Sequence, residues 1–357
     1  TVDAGGQVDL AANTFTVSGD VFDNNGTVTA ADNSTILLNS TDLVTVESSS
    51  PLNLFNLTAN TPGDGLTDAT INIRGTLLLQ DGEFEASLGS VTLASDVNGT
   101  GRLGPVAAGA AYTGEMTVQR YIPAGKTNWR FLGSPVSGQT GNEWKDDFYT
   151  AGFPGSHSPT FSNPVGSGIL WPSIRWYDET RTYAHIDTGW VGVSSNAQAL
   201  TAGQGFAAWC GTGLTTTTAF TVDVTGEPHI AQSPITRNLD YTNNSAPLID
   251  GWNAVSNPLP SPILFSSLSR TNVEDYVYIF NPAIGNVAVW DVGSSLSTNN
   301  GTDTIQSSQA FMVQAISSGA SIAFEEADKV NDRQGGFFGG SQHSLFNGVR
   351  LKISSAL

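Results

Sequence analysis

Hydrophobic positions in the first part of the chain fall in short, evenly spaced runs separated by Asn, Asp, Ser and Gly. Phe15-Thr16-Val17-Ser18, Thr35-Ile36-Leu37-Leu38, Leu43-Val44-Thr45-Val46, Leu52-Asn53-Leu54-Phe55-Asn56-Leu57, Thr70-Ile71-Asn72-Ile73, Thr76-Leu77-Leu78-Leu79 and Ser90-Val91-Thr92-Leu93 are of this kind. Runs this short alternate side chains between two faces and predict strands. Their close spacing, with no Trp or Tyr before Tyr112, predicts rungs of a parallel β-solenoid over residues 1–112, with aliphatic residues inward and Asn and Gly at the corners. An ordinary β-sandwich is the competing expectation for this stretch.

After a Gly/Ala stretch from Gly101 to Gly114 the pattern changes, and it then repeats. Trp129-Arg130-Phe131-Leu132-Gly133-Ser134-Pro135 is echoed by Trp252-Asn253-Ala254-Val255-Ser256-Asn257-Pro258. Each copy is followed by an aromatic strand pair: Arg175-Trp176-Tyr177-Asp178 to Tyr183 in the first, Tyr276-Val277-Tyr278-Ile279-Phe280 to Trp290 in the second. Each closes on a Gln-x-Phe strand, Gln204-Gly205-Phe206 and Gln309-Ala310-Phe311. Internal repetition sets unit limits without an alignment. The expected architecture is all-β: the solenoid at 1–112, then two tandem, duplicated β-sandwich (jelly-roll-like) units at 113–236 and 237–340. A terminal strand lies in 341–357, where Val349, Leu351 and Ile353 alternate and are expected to pair with a sheet edge. Because they recur, the shared aromatic residues are read as architecture first.

Composition narrows function more than fold. With 14 Lys and Arg against 32 Asp and Glu the net charge is −18, which disfavours nucleic acid as a partner because phosphate contact needs a basic stripe. No apolar stretch approaches the ~20 residues of a membrane span, so no membrane insertion is expected. Thr1-Val2-Asp3-Ala4 does not resemble a basic, apolar leader, and an exported protein would carry this chain as its mature form. The single Cys210 reads as a small buried hydrophobe, since no His stands near it in a nucleophile pattern.

Ser90-Val91-Thr92-Leu93-Ala94-Ser95-Asp96, Val118-Gln119-Arg120-Tyr121-Ile122-Pro123 and the two Trp motifs together resemble large secreted surface proteins of Bacteroidetes exported by the type IX secretion system. The resemblance spans roughly residues 50 to 355. It implies an extracellular or cell-surface location and an association with adhesion, gliding and matrix; the C-terminal sorting domain usual in that family is not part of this sequence.

Candidate chemistry is sparse. Glu143, Asp146, Asp147, Asp178, Glu179, Glu274, Asp275, Glu325 and Glu326 read as solvated loop charges rather than a glycosidase pair. No His-x-x-x-His or Gly-x-Ser-x-Gly arrangement occurs, so no catalytic residues and no enzyme activity are expected. Trp171, Trp176, Tyr177, Tyr183 and Trp190 are the candidate ligand-binding residues, because aromatic faces stack on sugar rings and adjacent strand residues face opposite ways. Asp23, Asn25 and Asp303 in Asx-Gly turns are candidate Ca²⁺ ligands, with no other cofactor expected, and Thr304 lies in a short O-glycosylation-like triplet. The expected function is an extracellular structural or adhesive protein that self-associates, as a filament subunit using end-to-end β contacts and the C-terminal strand. The alternative is a carbohydrate-binding module for cell-surface or matrix polysaccharide.

Overall fold

In the computed structural model, which describes residues 1–181 and 185–333, the chain is all-β, and its N-terminal part is a parallel β-solenoid of about five turns. Rungs align by stacking like on like at offsets of 19 to 21 residues. On one face Phe15, Ile36, Leu57, Leu77 and Leu103 stand in register. On another, Leu52, Ile71, Val91 and Met116 do the same, two positions from Leu54, Ile73, Leu93 and Val118. Pleating alternates these inward aliphatics with outward Thr and Asn. Asn side chains link successive coils, Asn60 to Asn39 at 2.7 Å and Asn72 to Asn53 at 2.9 Å.

The strand Thr76–Glu85 serves two faces of the solenoid by bending at Gly82. There φ is +70° and an added Cβ would collide with the carbonyl of Thr61, so only glycine turns this corner. Phe15 belongs to the inner stack yet is 40% exposed, because its strand Thr14–Val17 is the last in its sheet. The other end of the solenoid is engaged rather than free. Leu103 N donates to Pro260 O, Val106 N to Glu326 Oε2 and Lys329 Nζ to Gly104 O. The end-to-end β contacts expected from sequence would therefore have the first coil as their open solenoid end.

The duplication reappears as topology. In the first copy the antiparallel sheet order is Asn128–Leu132, Phe206–Cys210, Ile174–Tyr177, Trp190–Gly192. In the second it is Trp252–Ser256, Ala310–Gln314, Tyr276–Asn281, Asn286–Asp291, with Leu296–Thr298 added at the edge. Each copy is flanked by a strand pair, Met116–Ile122 with Phe220–Gly226 and Ile235–Asn238 with Ser321–Phe324. Met116–Ile122 is also the last solenoid rung on its face, and one buried cluster runs from Leu10 to Val224. A second cluster, from Ala231 to Phe324, belongs to the second copy. The motif's polar residue holds the Pro turn in each: Ser134 Oγ donates to Val136 O, and Asn257 Nδ2 to Ser261 O, Ile305 O and Gln306 O.

The copies contact each other reciprocally. Leu132 of the first bridges Gln309 of the second, and Gln204 of the first bridges Val255 of the second. Gly133 N donates to Ser308 O while Ser256 N donates to Gly203 O. Leu132 and Val255 occupy the same motif position, as do Gln204 and Gln309, so each surface patch meets its own counterpart, the pattern of an isologous, two-fold contact. Gly133 and Ser256, also equivalent, meet so closely that a Cβ on Gly133 would collide with Ser256.

A group of acids lies on the first copy. Burial pushes Asp147 up to about 7, with Asp223, Asp146 and Glu143 adding to the shift against the bond that Asp147 accepts from Asp223 N. A carboxyl whose folded value exceeds its ordinary value binds its proton more tightly when folded. Its contribution is therefore fully present at low pH and lost as pH rises through about 7. Thermal melts are expected to show a lower Tm at pH 8 than at pH 6, and D147N should raise the pH 8 value and flatten the dependence; an unchanged slope in D147N would reject this assignment. Among the described residues there is no α-helix, hence none long and apolar enough to cross a membrane. The terminal strand with Val349, Leu351 and Ile353 lies outside the described residues.

Candidate functional site

Strands of both copies that carry apolar side chains on both faces must cover both faces. In the first copy Leu132, Phe206, Ala208 and Ile174 point into the buried cluster, which leaves Trp129, Phe131, Ala207, Arg175 and Tyr177 on the opposite face. In the second, Val277, Ile279, Phe311 and Val313 are buried, and Tyr278, Phe280 and Met312 take the other side. These outward sets line a single cleft of about 810 Å³ between the copies, together with Trp190, Trp252, Val287, Val289 and, at its polar positions, Arg175, Asp187 and Asn286.

The rings form three groups. Phe131 touches Trp190 (centroids 5.4 Å) and Phe280 of the other copy (6.1 Å), and Tyr177 meets Trp190 edge-on at 5.0 Å. Trp252 meets Tyr278 at 4.8 Å. Beside them Trp129, Trp171 and Trp209 pack mutually at 5.4 to 5.6 Å, and Arg175 lies over Trp129 and Trp171 with Cζ 4.9 and 5.6 Å from the ring centroids. Tyr177 donates its hydroxyl to Ile186 O at 2.7 Å, and burial holds its phenol above the ordinary range. The Tyr177 ring lies directly on Gly189, where an added Cβ would meet Cζ at about van der Waals overlap, so the glycine lets the ring reach its place.

Of the candidate residues named from sequence, Tyr177 and Trp190 line the cleft. Trp171 stands behind it in the tryptophan group, Trp176 packs against the buried cluster, and Tyr183 lies outside the described residues. Sequence reasoning read Trp129, Trp252 and Tyr278 as architecture and did not name Phe131, Arg175, Phe280 or Met312 as binding residues. The available signal was the alternation itself: Tyr276-x-Tyr278-x-Phe280 interleaved with Val277 and Ile279 leaves no polar face. Recurrence points to the site as well as to the framework, because equivalent strands related by a two-fold contact supply opposite walls.

The carboxylates divide. Reading all of them as solvated fails at Glu179, which is 1% exposed and accepts from Thr242 N, Thr242 Oγ1 and Gly251 N at 2.7 to 2.9 Å. It fails again at Glu326, which accepts from Val106 N and Ala231 N and pairs with the buried Lys329 at 2.7 Å. Asp23 accepts from Asn25 on the first solenoid coil, whereas Asp303 caps Ser266 in the second copy, so the three candidate calcium ligands are not brought together. Among the described residues no group of three or more His, Cys, Asp or Glu is placed to hold a metal. Thr304 is half-buried in a short strand pair with Leu264. Cys210 is buried, and burial pushes its thiol up to about 12, which leaves no thiolate at neutral pH. No family model matches the chain, and no curated protein or solved structure matches it either.

Proposed function

We propose that this is a non-enzymatic, adhesive binding protein of the cell exterior, in which the solenoid is a spacer and two tandem β-sandwich units clasp saccharide rings. The reading of sandwiches rests on the four-stranded sheet of the first copy and the five-stranded sheet of the second each sharing one buried cluster with its flanking strand pair. The observation that carries the function is the cleft of about 810 Å³ walled by aromatic rings from both copies. A concave, mostly apolar site with a few polar groups is where a ligand is held, and the apolar C–H faces of a sugar stack on such rings while its hydroxyls turn to Arg175, Asp187 and Asn286. The resemblance to secreted surface proteins supports the location. Self-assembly, the other expectation, is favoured by one feature, the exposed Phe15 on the terminal strand of the first coil.

The test is retention on a panel of immobilised polysaccharides. W190A and Y278A should each weaken retention about tenfold, equivalent to about 1.4 kcal/mol, with little change in Tm. W176A, which removes core packing, should instead lower Tm. Retention of no polysaccharide by the intact protein, or undiminished retention by both cleft variants, would reject the proposal.

A further inference from the structure

Among the described residues, Arg175 is the one cation lining the cleft. Its position is fixed from three sides: the guanidinium lies over Trp129 and over Trp171, and Nε donates to Pro172 O at 3.1 Å. Its two terminal nitrogens have no acceptor among the described residues. The other charged lining residue, Asp187, is an exposed rim group whose carboxylate lies 3.2 Å from His185 Nδ1. A guanidinium partly withdrawn from water by rings is stabilised by acceptors at its remaining N–H groups. Burial accordingly lowers its proton affinity.

A guanidinium whose Nε is already occupied offers the two terminal amines as a planar fork, and that fork matches the two oxygens of a carboxylate. We infer that the cleft selects a carboxylate-bearing saccharide, with a uronic-acid ring on the aromatic wall and its carboxylate on the terminal nitrogens of Arg175. This rests on the saccharide reading and narrows it. The lining side chains project from sheet faces; a pyranose ring needs only such a face to stack on, whereas an extended acidic peptide binds chiefly by pairing with a strand edge. The net charge of −18 repels polyanions at long range. A preference for an acidic polymer therefore cannot come from ion exchange and must come from a local contact.

The experiment compares polygalacturonate, its methyl ester and poly-glutamate as ligands of the full chain and of R175Q. The intact protein should hold polygalacturonate at least tenfold more tightly than the methyl ester and should not retain poly-glutamate. R175Q should erase the difference between acid and ester. R175K, which keeps the charge and loses the fork, should fall between the two. Equal retention of acid and ester by the intact protein overturns this inference and leaves the saccharide reading standing. Poly-glutamate held as tightly as polygalacturonate overturns the choice of a saccharide acid. Retention of no polysaccharide, neutral or acidic, overturns both readings together.

Discussion

E326A is expected to lower the unfolding free energy by about 3–5 kcal/mol near pH 6, the range for breaking a buried ion pair by removing one partner. Glu326 Oε2 accepts from Val106 N at 2.7 Å and Oε1 from Ala231 N at 2.8 Å, and the Lys329 ammonium beside it also donates to Gly104 O. The variant strands an ammonium and two N–H groups at the point where the second copy grips the last solenoid coil. K329M should be milder, because Glu326 keeps its two backbone donors.

The pH dependence of E326A carries a sign. Burial pulls Lys329 down to about 8 despite the opposing pull of Glu326. A lysine whose folded value lies below its unfolded value releases its proton on folding, so its contribution improves as pH rises from about 8 toward its ordinary value. Without Glu326 the folded value falls further and the improvement begins at lower pH. The gap between variant and parent is therefore widest at pH 6 and narrower at pH 9. Denaturant melts at the two pH values measure it; a gap that widens with pH would refute the assignment of the clamp to this pair.

The second large effect is expected at Glu179. Its carboxylate lies on the first copy and takes three donors from the segment leading into the Trp252 strand of the second. E179A leaves the buried Gly251 N and the partly buried Thr242 N and Oγ1 without this acceptor, at a loss on the order of 3 kcal/mol. It also frees Gly251, the residue before a wall of the cleft, so polysaccharide retention should fall together with Tm, unlike in W190A. E179Q, which retains one oxygen acceptor, should recover part of both. A Tm equal to that of the parent would show that the copies are oriented by other contacts.

The solenoid was legible because its signal is local. A rung needs an inward aliphatic every second residue and a corner, and Ile36, Ile71 and Leu77 with their Asn and Gly neighbours display both. The duplication was legible for a related reason, since Trp129 and Trp252 begin equivalent strands in sheets of the same order. What pairwise side-chain identity does not reveal is how the copies face each other. Tyr177 and Trp190 could be named from one strand pair, but Phe280 and Met312 enter the same cleft only through the reciprocal contacts of Leu132 with Gln309 and Gln204 with Val255. Glu179 and Glu326 were misjudged because a buried carboxylate is recognised by its donors, and those lie 63 to 220 residues away along the chain.

The self-matching contact between the copies is of the kind that holds two separate chains in a symmetric dimer, yet here both halves are segments of a single polypeptide. Residues 227–234 tether them, so the partner is always at hand and docking is a unimolecular event governed by tether length rather than by dilution. The cleft then stays assembled at the lowest protein concentrations, and because each wall is encoded separately, substitutions on one need not be mirrored on the other: Arg175 stands on only one side.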